Sequence, residues 1–234
     1  MITASATPEE LSKFKAVATD WWDPTGPMKP LHQMNPARID YMQQRIPIAG
    51  KKWLDVGCGG GLLCEAVKKI GGEITGIDPC VELIEIAKKH AETESLTIDY
   101  RSEELHAHCL ENTYDVISCM ELLEHVDKPE NLLQLCRPLL KPNGTLFLST
   151  LNRNWKSFLL GIVAAEYVLG LVPRGTHRYQ QFIKPSELQH WLANAGFVLT
   201  DISGLSYNPI DHSCILSDNV SVNYIVEAKL ADTP

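Results

Sequence analysis

The chain has 234 residues, 44% of them apolar, and a formal net charge of −8, which fits a globular protein with one large domain or two small ones. The acidic balance argues against a nucleic-acid binder, because such proteins usually carry a basic field. The seven cysteines are scattered without a C-x-x-C pair, and no secretory signal is visible, so we expect reduced thiols in a cytoplasmic protein.

The first fifty residues predict a helical cap. Leu11, Phe14, Ala18 and Trp21 recur at helical spacing and predict an amphipathic helix over residues 8–22. After a loop with prolines and glycines, Asn35-Pro36 has the form of an N-cap followed by a first-turn proline. This pair predicts a second helix that runs to about residue 45.

From residue 51, short apolar runs alternate with helical patterns. The predicted strands are 52–56, 73–77, 96–100, 115–120 and 145–151, and the helices between them are 62–70, 80–92 and 129–140. Such alternation predicts a parallel sheet with helices on both faces. A helix at 185–195 precedes strands near 197–205 and 220–229, whose connection lacks a helical pattern and suits an antiparallel pair.

We therefore predict a single α/β domain over residues 1–234, with a doubly wound, mostly parallel seven-stranded sheet. Its parts are the cap (1–50), a core (51–151), an insertion (152–184) and the C-terminal part of the sheet (185–234).

A glycine-rich turn joins the first strand to the first helix of the core, beginning at Gly57 and Gly59. Glycines let the backbone turn sharply and approach a ligand, with the N–H groups of the helix facing it. Asp78 ends the second strand, where a carboxylate can accept hydrogen bonds from both hydroxyls of an adenosine ribose. We expect an adenosine-containing cofactor here. The alternative is a tight turn without a ligand.

Asp55, two residues before the first glycine, distinguishes two such cofactors. A dinucleotide site places a pyrophosphate against this turn and requires a third glycine, at the position where the chain has Leu62. S-adenosylmethionine instead places an ammonium and a sulfonium near the turn, and the carboxylate of Asp55 can pair with the ammonium. Arg38 of the cap would then pair with the methionine carboxylate. Met120, at the end of the fourth strand, either lines this pocket or is a core residue.

Glu121, Glu124 and His125 follow the fourth strand within five residues, at the edge where open α/β sheets bind ligands. Three interpretations remain open. His125 is a general base with Glu121 or Glu124 orienting it, the three side chains hold a divalent metal, or they only make local hydrogen bonds.

Blocks throughout the chain resemble the bacterial ubiquinone-biosynthesis O-methyltransferases. The more specific blocks are Trp21-Trp22-Asp23, Lys29-Pro30-Leu31-His32 and Thr150-Leu151-Asn152-Arg153. Further similar stretches are residues 14–18, 35–36, 55–61, 119–126, 149–154, 172–177, 182–185 and 207–210. The similarity covers nearly the whole chain.

The resemblance implies a class I methyltransferase fold. It also implies methyl transfer from S-adenosylmethionine to phenolic oxygens of a polyprenylated catechol (2-polyprenyl-6-hydroxyphenol) and of 3-demethylubiquinol. The implied cofactor contacts lie at Arg38, Gly57, Asp78 and Met120, to which the spacing argument adds Asp55 and Gly59.

Eukaryotic relatives are associated with a divalent metal at the positions that match Glu121, Glu124 and His125, which makes Mg²⁺ a candidate second cofactor. Other ubiquinone-biosynthesis enzymes are candidate partners.

Two other functions stay open. One is an NAD-dependent oxidoreductase, and the other is a catalytically silent S-adenosylmethionine-binding subunit of a biosynthetic complex.

The insertion differs in charge from the rest of the chain. Residues 151–185 carry five cations and one anion, a net +4, whereas the other 199 residues carry −12. Inside this basic frame lies an apolar run, 158–172, with Trp155 before it and Tyr167 within it. Such a segment is typical of one that lies on an anionic membrane surface. We expect residues 155–178 to associate the protein peripherally with the inner membrane. The alternative is a buried lid helix.

Overall fold

An eight-stranded sheet runs through this computed structural model, which describes residues 4–108, 113–157, 179–208 and 211–231. The strands are β1 (Lys52–Val56), β2 (Glu73–Ile77), β3 (Asp99–Arg101), β4 (Tyr114–Met120), β5 (Leu140–Leu151), β6 (Phe197–Asn208), β7 (Ser213–Ser217) and β8 (Asn223–Leu230). Their order across the sheet is β3-β2-β1-β4-β5-β8-β6-β7.

Strands β1 to β5 pair in parallel, whereas β8 is antiparallel to both β5 and β6. The predicted α/β fold with a mostly parallel sheet is therefore confirmed. The predicted count of seven strands is wrong by one, because β7 lies in the connection before β8 and pairs antiparallel with β6. Its five residues give too short an alternation to detect, and at the sheet edge Ile215 stays largely exposed.

The helices are α1 (Pro8–Val17), α2 (Lys29–Gln43), α3 (Leu62–Lys69), α4 (Val81–Thr93), α5 (Pro129–Cys136) and α6 (Pro185–Asn194). Helices α5 and α6 pack with Leu54 of β1 in one apolar cluster, and α2, α3 and α4 pack with Trp53 in another. These two neighbours point to opposite faces because side chains alternate along a strand. Burial on both faces explains the continuous apolar runs in the central strands.

Helix α2 starts seven residues earlier than predicted. Pro30 lies in its first turn, and Pro36 lies inside the helix. Asn35 is therefore not an N-cap, and its Nδ2 instead donates a hydrogen bond to the Leu62 carbonyl oxygen at 3.0 Å. Either proline could open a helix, and the upstream one does. Helix α1 also ends earlier than predicted and continues as a 3₁₀ turn over Ala18–Asp20.

The cap docks directly onto the glycine turn after β1. Trp21 is 5% exposed, and a Cβ atom on Gly59 or Gly60 would lie only 2.4 or 2.3 Å from its ring. Trp22 donates from Nε1 to the Gly60 carbonyl oxygen at 2.9 Å and stacks on His90 with 3.5 Å between ring centroids. The two glycines therefore make room for the indole of Trp21.

We expect Gly60→Ala to lower the free energy of unfolding by about 1–3 kcal/mol, because the added methyl overpacks against the buried indole. The backbone of Gly60 is not left-handed, so strain at φ adds nothing. The measurement is denaturant unfolding in a double-mutant cycle with Trp21→Ala. The cost of Gly60→Ala should largely disappear when Trp21 is absent, and an equal cost in both backgrounds contradicts the interpretation.

Candidate active site

A cavity of about 560 Å³ lies at the edge of the sheet where the parallel strands end, the usual ligand site of open α/β sheets. All nine residues that the sequence singles out line it: Arg38, Asp55, Gly57, Gly59, Asp78, Met120, Glu121, Glu124 and His125. The cap supplies apolar side chains of the same cavity, namely Leu11, Phe14, Trp21, Met28, Leu31 and Met34. The fold thus brings residues from the cap, β1, β2 and β4 together.

The glycine turn wraps around Asp78. Gly57 and Gly59 have φ of +70° and +54°, in the left-handed region that favours glycine. The Gly59 N–H donates to Asp78 Oδ2 at 3.0 Å, and the Cys80 N–H donates to Oδ1 at 2.8 Å. Burial raises the pKa of Asp78 to about 6, against the opposing effect of these two hydrogen bonds. The carboxylate is therefore fixed in place, with lone pairs left for hydroxyl donors.

Asp55 is 3% exposed in β1, two residues before the turn. Ser118 Oγ donates to its Oδ1 at 2.6 Å, and the Cys64 thiol donates to Oδ2 at 3.4 Å. Burial raises the pKa of Asp55 to about 6 in spite of these bonds. A cationic ligand in the cavity would favour its ionised form.

Arg38 lies in α2 and is 5% exposed. Its Nη2 is 3.2 Å from Glu121 Oε1, but neither Nε nor Nη2 has a well-directed hydrogen bond within the part of the chain that the structure describes. Buried guanidinium donors without partners suit a ligand carboxylate, which can take two parallel hydrogen bonds. Arg38 thus fits the carboxylate of a bound amino acid.

Glu121 is held in a left-handed conformation, with φ of +51°. Its N–H donates to the Ser149 carbonyl oxygen at 3.0 Å, which helps to hold this backbone. Ser149 Oγ donates to Glu121 Oε1 at 2.6 Å, and Asn223 Nδ2 donates to Oε2 at 3.1 Å. These donors, together with Arg38, hold the carboxylate in place at the cavity wall.

Glu124 is buried beside Glu121. Thr150 Oγ1 donates to its Oε2 at 2.7 Å. Burial, and then the negative charge of Glu121, raise the pKa of Glu124 well above its usual range. This shift favours the protonated form of Glu124.

His125 pairs with a residue from the cap rather than with its neighbours in the chain. Its Nδ1 lies 2.8 Å from Oε2 of Glu10 in α1, and Phe14 packs edge-on against its ring. The hydrogen bond from His125 lowers the pKa of Glu10 to about 2, so this carboxylate is ionised and can only accept. The expectation that Glu121 or Glu124 orients His125 is not met, because both of those side chains turn to other partners.

The three predicted metal ligands do not converge. In the four described ranges no group of three His, Cys, Asp or Glu side chains is placed to hold a metal ion. Glu124 is paired with Thr150, and His125 uses Nδ1 for Glu10. The arrangement of the described residues does not fit the predicted Mg²⁺ site.

Several residues of the site escaped sequence analysis: Glu10, Ser149, Thr150 and Asn223. Glu10 carries a signal, because it lies four residues before Phe14 and so shares its apolar helix face, where a carboxylate is unexpected. Ser149 and Thr150 lie near the end of β5, at the same edge of the sheet as Met120. Asn223 begins β8, whose antiparallel direction brings its first residue to that edge. Nothing local distinguishes it.

Comparison with known proteins identifies the family. A methyltransferase-domain model matches residues 31–202. The ubiquinone biosynthesis O-methyltransferase of Coxiella burnetii is 50% identical over 218 residues, covering 93% of each chain. Those of Actinobacillus pleuropneumoniae and Azoarcus are 47% and 46% identical, and cover 94% and 97% of this chain and 97% and 99% of their own.

Solved structures share the fold. Magnesium protoporphyrin IX methyltransferase from Synechocystis with bound SAH has a TM-score of 0.70 at 17% identity, covering 94% of this chain and 97% of its own. A SAM-dependent methyltransferase from Aquifex aeolicus has a TM-score of 0.66 at 18% identity, covering 94% and 98%. The class I methyltransferase fold is confirmed. From the relatives at 46–50% identity, the chain belongs to the family of ubiquinone biosynthesis O-methyltransferases.

Proposed function

We propose that the protein transfers a methyl group from S-adenosylmethionine to phenolic hydroxyls of prenylated ubiquinone precursors. The substrates are 2-polyprenyl-6-hydroxyphenol and 3-demethylubiquinol. The observation that carries the proposal is one cavity in which the glycine turn and two acidic residues lie beside a histidine, in a chain that is 46–50% identical to ubiquinone biosynthesis O-methyltransferases. This membership argues against the NAD-dependent oxidoreductase.

Three groups around the glycine turn fit S-adenosylmethionine. Asp78 would accept from the ribose hydroxyls, Asp55 would face the ammonium, and Arg38 would pair with the carboxylate. Two observations support this assignment. The buried Nε and Nη2 of Arg38 lack well-directed hydrogen bonds among the described residues, and the ligand carboxylate offers acceptors for them. Burial raises the pKa of both aspartates, and the ammonium and the ribose hydroxyls of the ligand would stabilise their ionised forms. Met120 lines the same cavity.

S-adenosylmethionine, when bound, supplies an electrophilic methyl group on a sulfonium. A phenol with a pKa of about 10 attacks it poorly until deprotonated, so a base is needed. We assign that role to His125, whose imidazole accepts the proton of the hydroxyl as the C–O bond forms and the C–S bond breaks. The imidazolium then returns the proton to water. Positioning of the two substrates is the other contribution of the protein.

The rest of the cavity suits a hydrophobic substrate. Its walls away from the carboxylates are largely apolar, with side chains from α2, from β6 and from the residue before β8: Leu31, Met34, Leu205, Tyr207 and Val222. Apolar walls of this kind favour a prenylated ring, because they bury hydrocarbon without leaving polar groups unpaired.

We also propose that the protein meets its substrate at the inner membrane. None of the helices in the described ranges is long and apolar enough to cross a membrane. The insertion expected to lie on the surface, residues 155–178, falls almost entirely outside the described residues, so its basic and apolar sequence is what supports the proposal. Other enzymes of the pathway remain candidate partners.

The activity and the base are tested together, by methyl transfer to a short-chain demethylubiquinol analogue with and without a chelator. Wild-type protein should form one methyl ether per S-adenosylhomocysteine released. His125→Ala should lower kcat by about 10²–10⁴-fold, the usual contribution of a general base. Its affinity for S-adenosylmethionine, measured by calorimetry, should stay within about twofold. Unchanged turnover in this variant removes His125 from the mechanism, and no turnover by the wild type rejects the activity.

The binding of S-adenosylmethionine should weaken in acid. Because the pKa values of Asp55 and Asp78 are raised to about 6, both must lose a proton to bind the ligand below that pH. From pH 7.5 to 5 the association constant should fall by about tenfold for each carboxyl that must ionise, about a hundredfold for both. The Asp55→Asn variant should bind S-adenosylmethionine more weakly at pH 7.5, and its association constant should fall by only about tenfold between pH 7.5 and 5. A constant affinity over this range in the wild type contradicts the assignment.

Liposome cosedimentation tests the membrane contact. A variant in which a short Gly/Ser linker replaces residues 155–178 should lose binding to anionic vesicles, and high salt should weaken binding of the full chain. Neutral vesicles and the thermal unfolding curve of the variant serve as controls. Equal binding by the still-folded variant defeats the membrane proposal and leaves the buried lid.

A further inference from the structure

Resting on the proposed function, we infer that Glu10 of the cap is a positioning residue for the base. It holds His125 in the tautomer that leaves Nε2 free to accept the substrate proton, so the base is complete only when α1 is docked. Glu10 is 115 residues away in the chain, and its carboxylate meets the imidazole only through the fold.

The direction of the hydrogen bond carries the first step. Glu10 Oε2 and His125 Nδ1 are 2.8 Å apart, and a carboxylate can only accept, so Nδ1 must carry a proton. A neutral imidazole has only one N–H, which leaves Nε2 with a lone pair. Within the described residues Nε2 has no hydrogen-bond partner, and His125 lines the cavity. The ring is therefore set to accept a proton from a ligand.

Burial makes this orientation firm. Glu10 is 2% exposed and His125 is 8% exposed, so water competes little for either group. The Phe14 ring packs edge-on at 5.0 Å between centroids and limits rotation of the imidazole. Lys13 Nζ, 2.8 Å from Glu10 Oε1, compensates the buried charge on its other oxygen. A buried carboxylate with two such partners is expensive to replace by a neutral group.

A short antiparallel bridge fixes the start of α1 next to His125. Ala6 pairs with Val126. The Asp127 N–H donates to the Ser5 carbonyl oxygen, and the Ser5 N–H donates to the Asp127 side chain, both at 3.2 Å. These contacts join the segment leading into α1 to the residues that directly follow His125. The position of Glu10 relative to the ring therefore depends on the docking of the cap.

The test compares Glu10→Gln, Glu10→Asp and Glu9→Gln in the full chain. Glu9→Gln removes the same charge from the neighbouring, exposed position of α1 and is the matched control. Glu10→Gln should lower kcat by about 10²–10³-fold, because an amide can donate to Nδ1 and so stabilise the wrong tautomer. Glu10→Asp should recover most of this loss, and Glu9→Gln should retain wild-type kcat. Affinity for S-adenosylmethionine should stay within about twofold in all three.

The second readout does not depend on turnover. At a pH above the titration of the ring, the ¹⁵N chemical shifts of His125, assigned with His125→Ala, should show the Nδ1–H tautomer in the wild type and Glu9→Gln, and a shift towards Nε2–H in Glu10→Gln. An Nε2–H tautomer in the wild type, or wild-type kcat in Glu10→Gln, overturns the inference. If the wild type shows the expected tautomer but methylates no phenol, the proposed function fails and the positioning stands.

Discussion

The contact between Trp21 and the glycine turn is the constraint on which the site depends. The indole occupies the space where a Cβ of Gly59 or Gly60 would lie, so the turn and the cap fit only together. Cap side chains such as Phe14 and Met34 then line one side of the cavity. There are therefore two physical reasons for glycine in this turn. It lets the backbone take a left-handed conformation and approach a ligand, and it leaves room for an aromatic ring.

The burial of Asp55 and Asp78 in this site lowers the stability of the folded protein. Raising the pKa of a carboxyl from 3.8 to about 6 corresponds to roughly 3 kcal/mol of lost stability above pH 6. Asp55 and Asp78 both carry this penalty, and Glu124 avoids a full negative charge by favouring the protonated form. Such a site is destabilising until a ligand supplies a positive charge and hydroxyl donors. This is the expected conflict between stability and function at a binding site.

The features that depend on local sequence patterns were predicted correctly from the sequence. Strand β2 has the predicted bounds, the glycine turn and Asp78 meet, and all nine proposed residues line one cavity because parallel strands end at one edge. The predictions were wrong where the structure depends on contacts between residues that are distant in the chain. The start of α2 depended on which proline opens the helix, and the short strand β7 is set by its pairing with β6. The three supposed metal ligands are neighbours in the chain, but each one turns to a different partner.

The partner of His125 shows why adjacency in sequence misleads here. Glu121 is engaged by Ser149, Asn223 and Arg38, and Glu124 favours its neutral form, so neither is suited to hold an imidazole in one tautomer. A carboxylate from outside the turn is required, and α1 supplies Glu10. The helix that continues into Trp21 thus bears both the group that closes over the glycine turn and the group that orients the base. Undocking of the cap would open the cavity and release His125 in the same movement. An oriented base would therefore exist only while the cap lines the site.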